Sequence, residues 1–151
     1  HTIRAVGELP DFAPVVDKLA ISPATPRKMA SASLVLYAGT MAFTSLHAVT
    51  GLHWLRVISP YLGDWAPVYR AYWQVLAALV PKLEFPTLPT PEEVAAMRQL
   101  PAPEWPDIHA AAVASDDEHD VSLVFSAFEE EKIWGDRLYR VVAARRVALI
   151  D

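Results

Sequence analysis

The chain has 151 residues, a net charge of −5, no cysteine and only five glycines. That length fits one domain rather than two independent cores. The absence of cysteine excludes disulfides, thiolate metal sites and thiol nucleophiles, and fits an intracellular, cytoplasmic setting. An acidic balance excludes the basic stripe that a nucleic-acid binder needs.

Apolarity is the unusual quantity. Hydrophobic residues make up 53% of the chain and the mean hydropathy is +0.20. Ordinary soluble domains are about 45–50% apolar with glycine included, and a small one buries about two-thirds of its surface. Such a chain carries more apolar surface than its own interior hides, which points to a membrane or to a larger assembly. From Met29 to Leu55 there is no Asp, Glu, Lys or Arg, and such a run is long enough to span a bilayer. Ser31, Ser33, Thr40, Thr44, Ser45, His47, Thr50 and His53 interrupt it, so a buried helix with a polar lining is expected and no membrane partner. The N-terminus has no signal-peptide pattern. It opens on His1 without a methionine, as a processed or partial chain does.

Helix signals follow in chain order. Thr25-Pro26 places a capping hydroxyl before a first-turn proline. The uncharged 29–55 segment comes next, and then Asp64, which can cap a helix from Trp65 towards Leu79. Seven of the thirteen prolines lie between Pro81 and Pro106; this stretch predicts a connector holding one short helix. Within it, Thr90-Pro91-Glu92-Glu93 spells a capping box. His109 reads as a residue near a helix start, and Ser115-Asp116-Asp117-Glu118 as a second capping box. Val121, Val124, Phe125 and Phe128 form one apolar stripe, with Glu129, Glu130 and Glu131 solvating the far end. Gly135-Asp136 breaks the chain before a last helix ending near Ile150. There Leu138, Val141 and Val142 face inward, and Arg137, Arg140, Arg145 and Arg146 form the solvated face. No hairpin signal or sustained alternation argues for strands. The expectation is an all-α chain with six or seven helices, residues 1–151 forming one domain or half-domain.

Nucleotide-phosphate loops, a nucleophile elbow and a His-Glu-x-x-His zinc motif are all missing, which leaves histidine and carboxylate chemistry. His47 and His53 share one predicted helix, about 120° apart around its axis. They read either as hydrogen-bonded core histidines or as ligands or acid–base groups. His119 follows the acids at 116–118 and shares a stripe with Ser122, Leu123 and Ser126, away from the apolar one. A helix built so can line a pocket. Trp54, Trp65, Trp73, Tyr69 and Tyr72 read mostly as core, with stacking on a flat aromatic ligand as the alternative.

The segments LHAVTGLHWLRVISPYL, AAVASDDEHDVSLVFSAFEEE and DRLYRVVAARRVAL resemble the C-terminal part of the questin oxidase-like family, over roughly residues 35–150. The matching phrases are a His-x-x-x-Gly-x-His-x-x-Arg run (x₃ between His47 and Gly51) and an acidic cluster ending in His. The resemblance implies a largely helical oxygenase acting on polyketide-type aromatic rings, with NADPH dependence or a non-haem iron. It carries His47 and His119 over as Fe(II) ligands and His53 as the second choice, a catalytic residue. Asp116 or Asp117 would then support an imidazole from behind. It also implies an N-terminal companion half or second subunit. Ser122 stands where the family pattern has a lysine, so the alternative is a helical interaction module that kept the fold and lost the site.

Overall fold

Short polar side chains and prolines decide where the helices start and stop. The computed structural model describes residues 3–151, apart from the Val16 side chain; the opening His1 lies outside the described residues. Eight α-helices and two 3-10 turns follow one another, and no strand occurs among the described residues. The helices are α1 (Ile3–Gly7), α2 (Thr25–Thr40), α3 (Phe43–Ile58), α4 (Ala66–Lys82), α5 (Pro91–Arg98), α6 (Trp105–Val113), α7 (Glu118–Trp134) and α8 (Leu138–Arg146). The 3-10 turns are Ala13–Lys18 and Ser59–Tyr61. The all-α architecture is as expected, with one helix more than the upper expectation. No helix among the described residues is long and apolar enough to cross a membrane.

The uncharged 29–55 run is two helices rather than one. Met41 adopts a left-handed conformation with φ 45°, and Ala42 is extended, so α2 stops and α3 begins. Thr40 and Ser45 build this corner. Thr40 Oγ1 donates to the Leu36 carbonyl at 2.8 Å, and the two hydroxyls lie 2.7 Å apart. Ser45 Oγ also donates to the Ala42 carbonyl at 2.8 Å. Hydroxyls that compete for backbone groups end helices in this way.

Packed together, α2 and α3 form a central layer with a core on either face. On one side Met29, Leu36, Ala48, Leu52 and Leu55 meet Tyr69, Leu76 and Leu79 of α4. On the other, Leu34, Tyr37, Leu46 and Val49 meet α6, α7 and α8 through Ile108, Leu123, Val124, Leu138, Val141 and Val142. The connector lies against α2: a Cβ at Gly39 would come within 2.5 Å of Pro89 Cδ. It holds α5, whose capping box is complete. Thr90 Oγ1 accepts from the Glu93 N–H at 3.2 Å, and Glu93 Oε2 accepts from the Thr90 N–H at 2.7 Å.

Other caps differ from expectation. Thr25 Oγ1 binds Ser22 N–H and the Ala20 carbonyl of the preceding turn, and α2 carries no side-chain cap. Asp64 accepts from Ala66 N–H at 3.0 Å, while Trp65 occupies the cap position of α4. At α7 the cap is Asp117, not Ser115, which instead donates to Asp120 at 2.7 Å. Gly135 closes α7 in the left-handed region with φ 68°, as its position before the last helix suggested.

The buried face of α7 is also turned, by about a third of a turn from the expected stripe. Val124 is buried and Phe128 half-buried, but Val121 and Phe125 are exposed; Leu123, Ser126 and Ala127 face the core with Asp120 and Glu130. Two charges are drawn inward because cations meet them there. The solvated reading of Glu129–Glu131 therefore fails at Glu130, which is 3% exposed. It fails likewise for Arg140 and Arg146 of α8, which are half-buried, but not for Arg137, which is exposed. Arg140 pairs with Glu104 and Glu131, Arg146 with Asp117 and Asp120, and Arg137 donates to the Arg98 and Leu100 carbonyls.

Candidate functional site

His47 comes from the first turns of α3, just beyond the Thr40–Ser45 corner, and His119 from the first turn of α7. The fold brings them together: their rings lie 5.6 Å apart, centroid to centroid, at 68°. Phe43 packs edge-on against both, at 5.0 Å from the His47 ring and 4.7 Å from the His119 ring.

Each imidazole is held by Nδ1. The His47 Nδ1 lies 3.0 Å from the Phe43 carbonyl, which can only accept, so Nδ1 carries the proton. His119 Nδ1 lies 2.8 Å from Asp117 Oδ1, and the same oxygen accepts the His119 backbone N–H at 2.9 Å. These two bonds from His119, backbone first, hold the Asp117 carboxyl below its ordinary range, with Arg146 assisting. A carboxylate accepts, so His119 is also the Nδ1–H tautomer. In their neutral forms both rings therefore carry the lone pair on Nε2, the arrangement in which an outer partner orients an imidazole for work at its other nitrogen.

Beside them opens an apolar cavity of about 420 Å³, lined among others by Phe43, His47, Gly51, Trp54, Tyr72 and Ser122. Small-molecule sites commonly measure about 300–1,000 Å³ with a few polar groups on apolar walls. Gly51 sets its shape, because a Cβ there would meet Tyr72 Oη at 2.5 Å. The close approach lets Tyr72 donate to the His47 and Ala48 carbonyls, each at 3.0 Å. Burial raises the Tyr72 phenol, so it stays neutral at any physiological pH. Ser122, one turn beyond His119, puts a small hydroxyl-bearing side chain on the wall. Trp54 lines the cavity while 53% exposed, unlike the core tryptophan expected, and stacks on Phe125 at 6.5 Å.

His53 does not line this cavity. It is 2% exposed, and its Nδ1 lies 2.8 Å from Glu130 Oε1. Arg56 Nε donates to the same oxygen at 2.7 Å, and Trp134 Nε1 donates to Oε2. Burial works to raise the Glu130 carboxyl, and the bonds from His53, Arg56 and Trp134 outweigh it and hold it below the ordinary range. Sequence reasoning missed Glu130, because only long-range partners distinguish it from its neighbours. His109 sits mid-helix in α6, stacked on Trp105 at 5.7 Å and edge-on to Phe128 at 4.9 Å.

As a metal centre the pair is short of donors. Among the described residues no group of three His, Asp or Glu side chains is placed to share an ion. Two imidazoles alone do not complete the two-histidine, one-carboxylate set typical of non-haem iron. Asp117, the nearest acid to His119, is already engaged through both oxygens. Comparison with protein-family models, curated proteins and solved structures finds no match to this chain.

Proposed function

We propose that this chain supplies the aromatic-binding, histidine-bearing part of an oxidoreductase of the questin oxidase-like kind. The observation carrying this reading is the convergence of His119 on His47, each held at Nδ1, where the His47 ring lines an apolar cavity walled by aromatic rings. A flat hydroxylated ring system, such as an anthraquinone, suits those walls. The Nε2 of His47, which lines the cavity, can accept the phenolic proton, leaving the electron pair on the ring oxygen and making the ring easier to oxidise, with His119 packed beside it. His53 serves the core on this reading, as a hydrogen-bonded partner of Glu130.

The donor set does not fit a resident iron by itself, and no step here runs through one. An Fe(II) ion at the pair would draw further ligands from the companion half or second subunit. NADPH, for which this sequence has no phosphate cradle, would likewise meet other protein. Exposed Trp54 and Phe125 beside the cavity mark a face for that companion to cover.

Titration of the purified chain with 1,8-dihydroxyanthraquinone, followed by tryptophan fluorescence, tests the reading. One-to-one binding is expected, weakened about tenfold by His47→Ala, the loss of one charge-assisted contact, and less by His119→Ala. Equal binding by wild type and by both His47→Ala and His119→Ala would contradict it. That result favours a module without activity, which the uncharged Ser122 also favours.

A further inference from the structure

Arg146, the last residue of α8, reaches back across the start of α7. Its Nη2 donates to Asp117 Oδ2 at 2.6 Å, and its Nε donates to Asp120 Oδ1. Asp120 is buried and takes the Ser115 hydroxyl on its other oxygen. The guanidinium is thus gripped along two donors by two carboxylates of one helical turn, which fixes its plane. Asp117 is fixed in turn. Oδ1 faces the backbone and ring N–H of His119, and Oδ2 faces the arginine, so the carboxylate cannot rotate without losing bonds on both sides.

We propose that Arg146 is a positioning residue, which sets the tautomer and ring direction of His119 through Asp117. His47 is held differently, by a carbonyl of its own helix that no arginine touches. One imidazole of the pair therefore answers to the C-terminal helix and the other does not. A helix cap alone needs only the Asp117–backbone bond; the second Asp117 oxygen and the paired Asp120 serve the arginine. The functional weight of this arrangement rests on the pocket reading above, but the ring geometry is testable without any ligand.

The test is long-range ¹H–¹⁵N NMR of the histidine side chains, recorded above the pH at which they protonate. In wild type, His119 and His47 both show the Nδ1–H form. Arg146→Gln/Asp120→Asn removes the guanidinium without leaving Asp120 as a buried unpaired charge. In this variant His119 is expected to pass mainly to the Nε2–H form that an unconstrained imidazole favours, with His47 unchanged. Arg146→Lys is the second variant: the ammonium keeps a positive charge beside Asp117 and Asp120 but not the two-donor fork that fixes the carboxylates. The same shift of His119 towards Nε2–H is expected there, and this variant decides the matter if the double variant does not fold. A His119 that stays Nδ1–H in either folded variant, or a His47 that changes with it, overturns the proposal. If His119 relaxes while 1,8-dihydroxyanthraquinone fails to bind wild type, the positioning role stands and the functional reading falls.

Discussion

Glu130 shows how much one residue depends on partners distant in sequence. Its donors His53 and Arg56 lie 77 and 74 positions away, so three successive glutamates look alike to any local rule. The buried carboxylate is held ionised by donors on both oxygens. With its carboxyl held below the unfolded value of about 4.3, its contribution is fully present above that pH. It is lost as pH falls through the lower folded value. Glu130→Ala leaves His53, Arg56 and Trp134 without their acceptor, and urea unfolding at neutral pH is expected to show a loss of about 3 kcal/mol. The loss should shrink as the medium is acidified below pH 4; a loss that does not change with pH would contradict the ionic description. At Gly51 the constraint is steric. Gly51→Ala pushes the Tyr72 ring off the His47 and Ala48 carbonyls, at an expected cost of about 1–2 kcal/mol and with weaker aromatic binding. Unchanged stability and binding would show that the ring yields freely.

At the scale of elements, the features legible in the sequence are those with local causes. The Thr90 capping box is an example, and Thr90→Ala is expected to cost about 1 kcal/mol by chemical denaturation; a change near zero would mean that α5 is held by packing alone. The inward face of α8 and the stop at Gly135 were equally readable. The α2–α3 corner was not, since no glycine or proline marks it and Met41 takes the left-handed conformation itself. The facing of α7 was misread because Val121 and Phe125 complete an apolar stripe that the fold leaves outside. Counting only apolar spacing missed Asp120 and Glu130, which turn inward towards Arg146 and Arg56. The wheel did separate His119 and Ser122 from that stripe, and it placed His47 and His53 on different sides of one helix. Those two angular facts are what the sequence contributed to the site; the meeting of α3 with α7 required the fold.

For the whole molecule, the central α2–α3 layer carries both cores and also presents His47 at their margin. Part of the apolar surface lies along α3 and α7: Phe43 and Trp54, which line the cavity, are exposed, as are Val121 and Phe125, the latter stacked on Trp54. On the proposed function, this face is where a flat apolar ligand or the companion protein would sit. The most direct test follows the histidine ¹⁵N signals while 1,8-dihydroxyanthraquinone is added to the intact chain. The Nε2 resonances of His47 and His119 are expected to move together and saturate at one equivalent, with His53 and His109 still. Signals of His47 and His119 that stay fixed, or that move no more than those of His53 and His109, would contradict a shared site at these two rings.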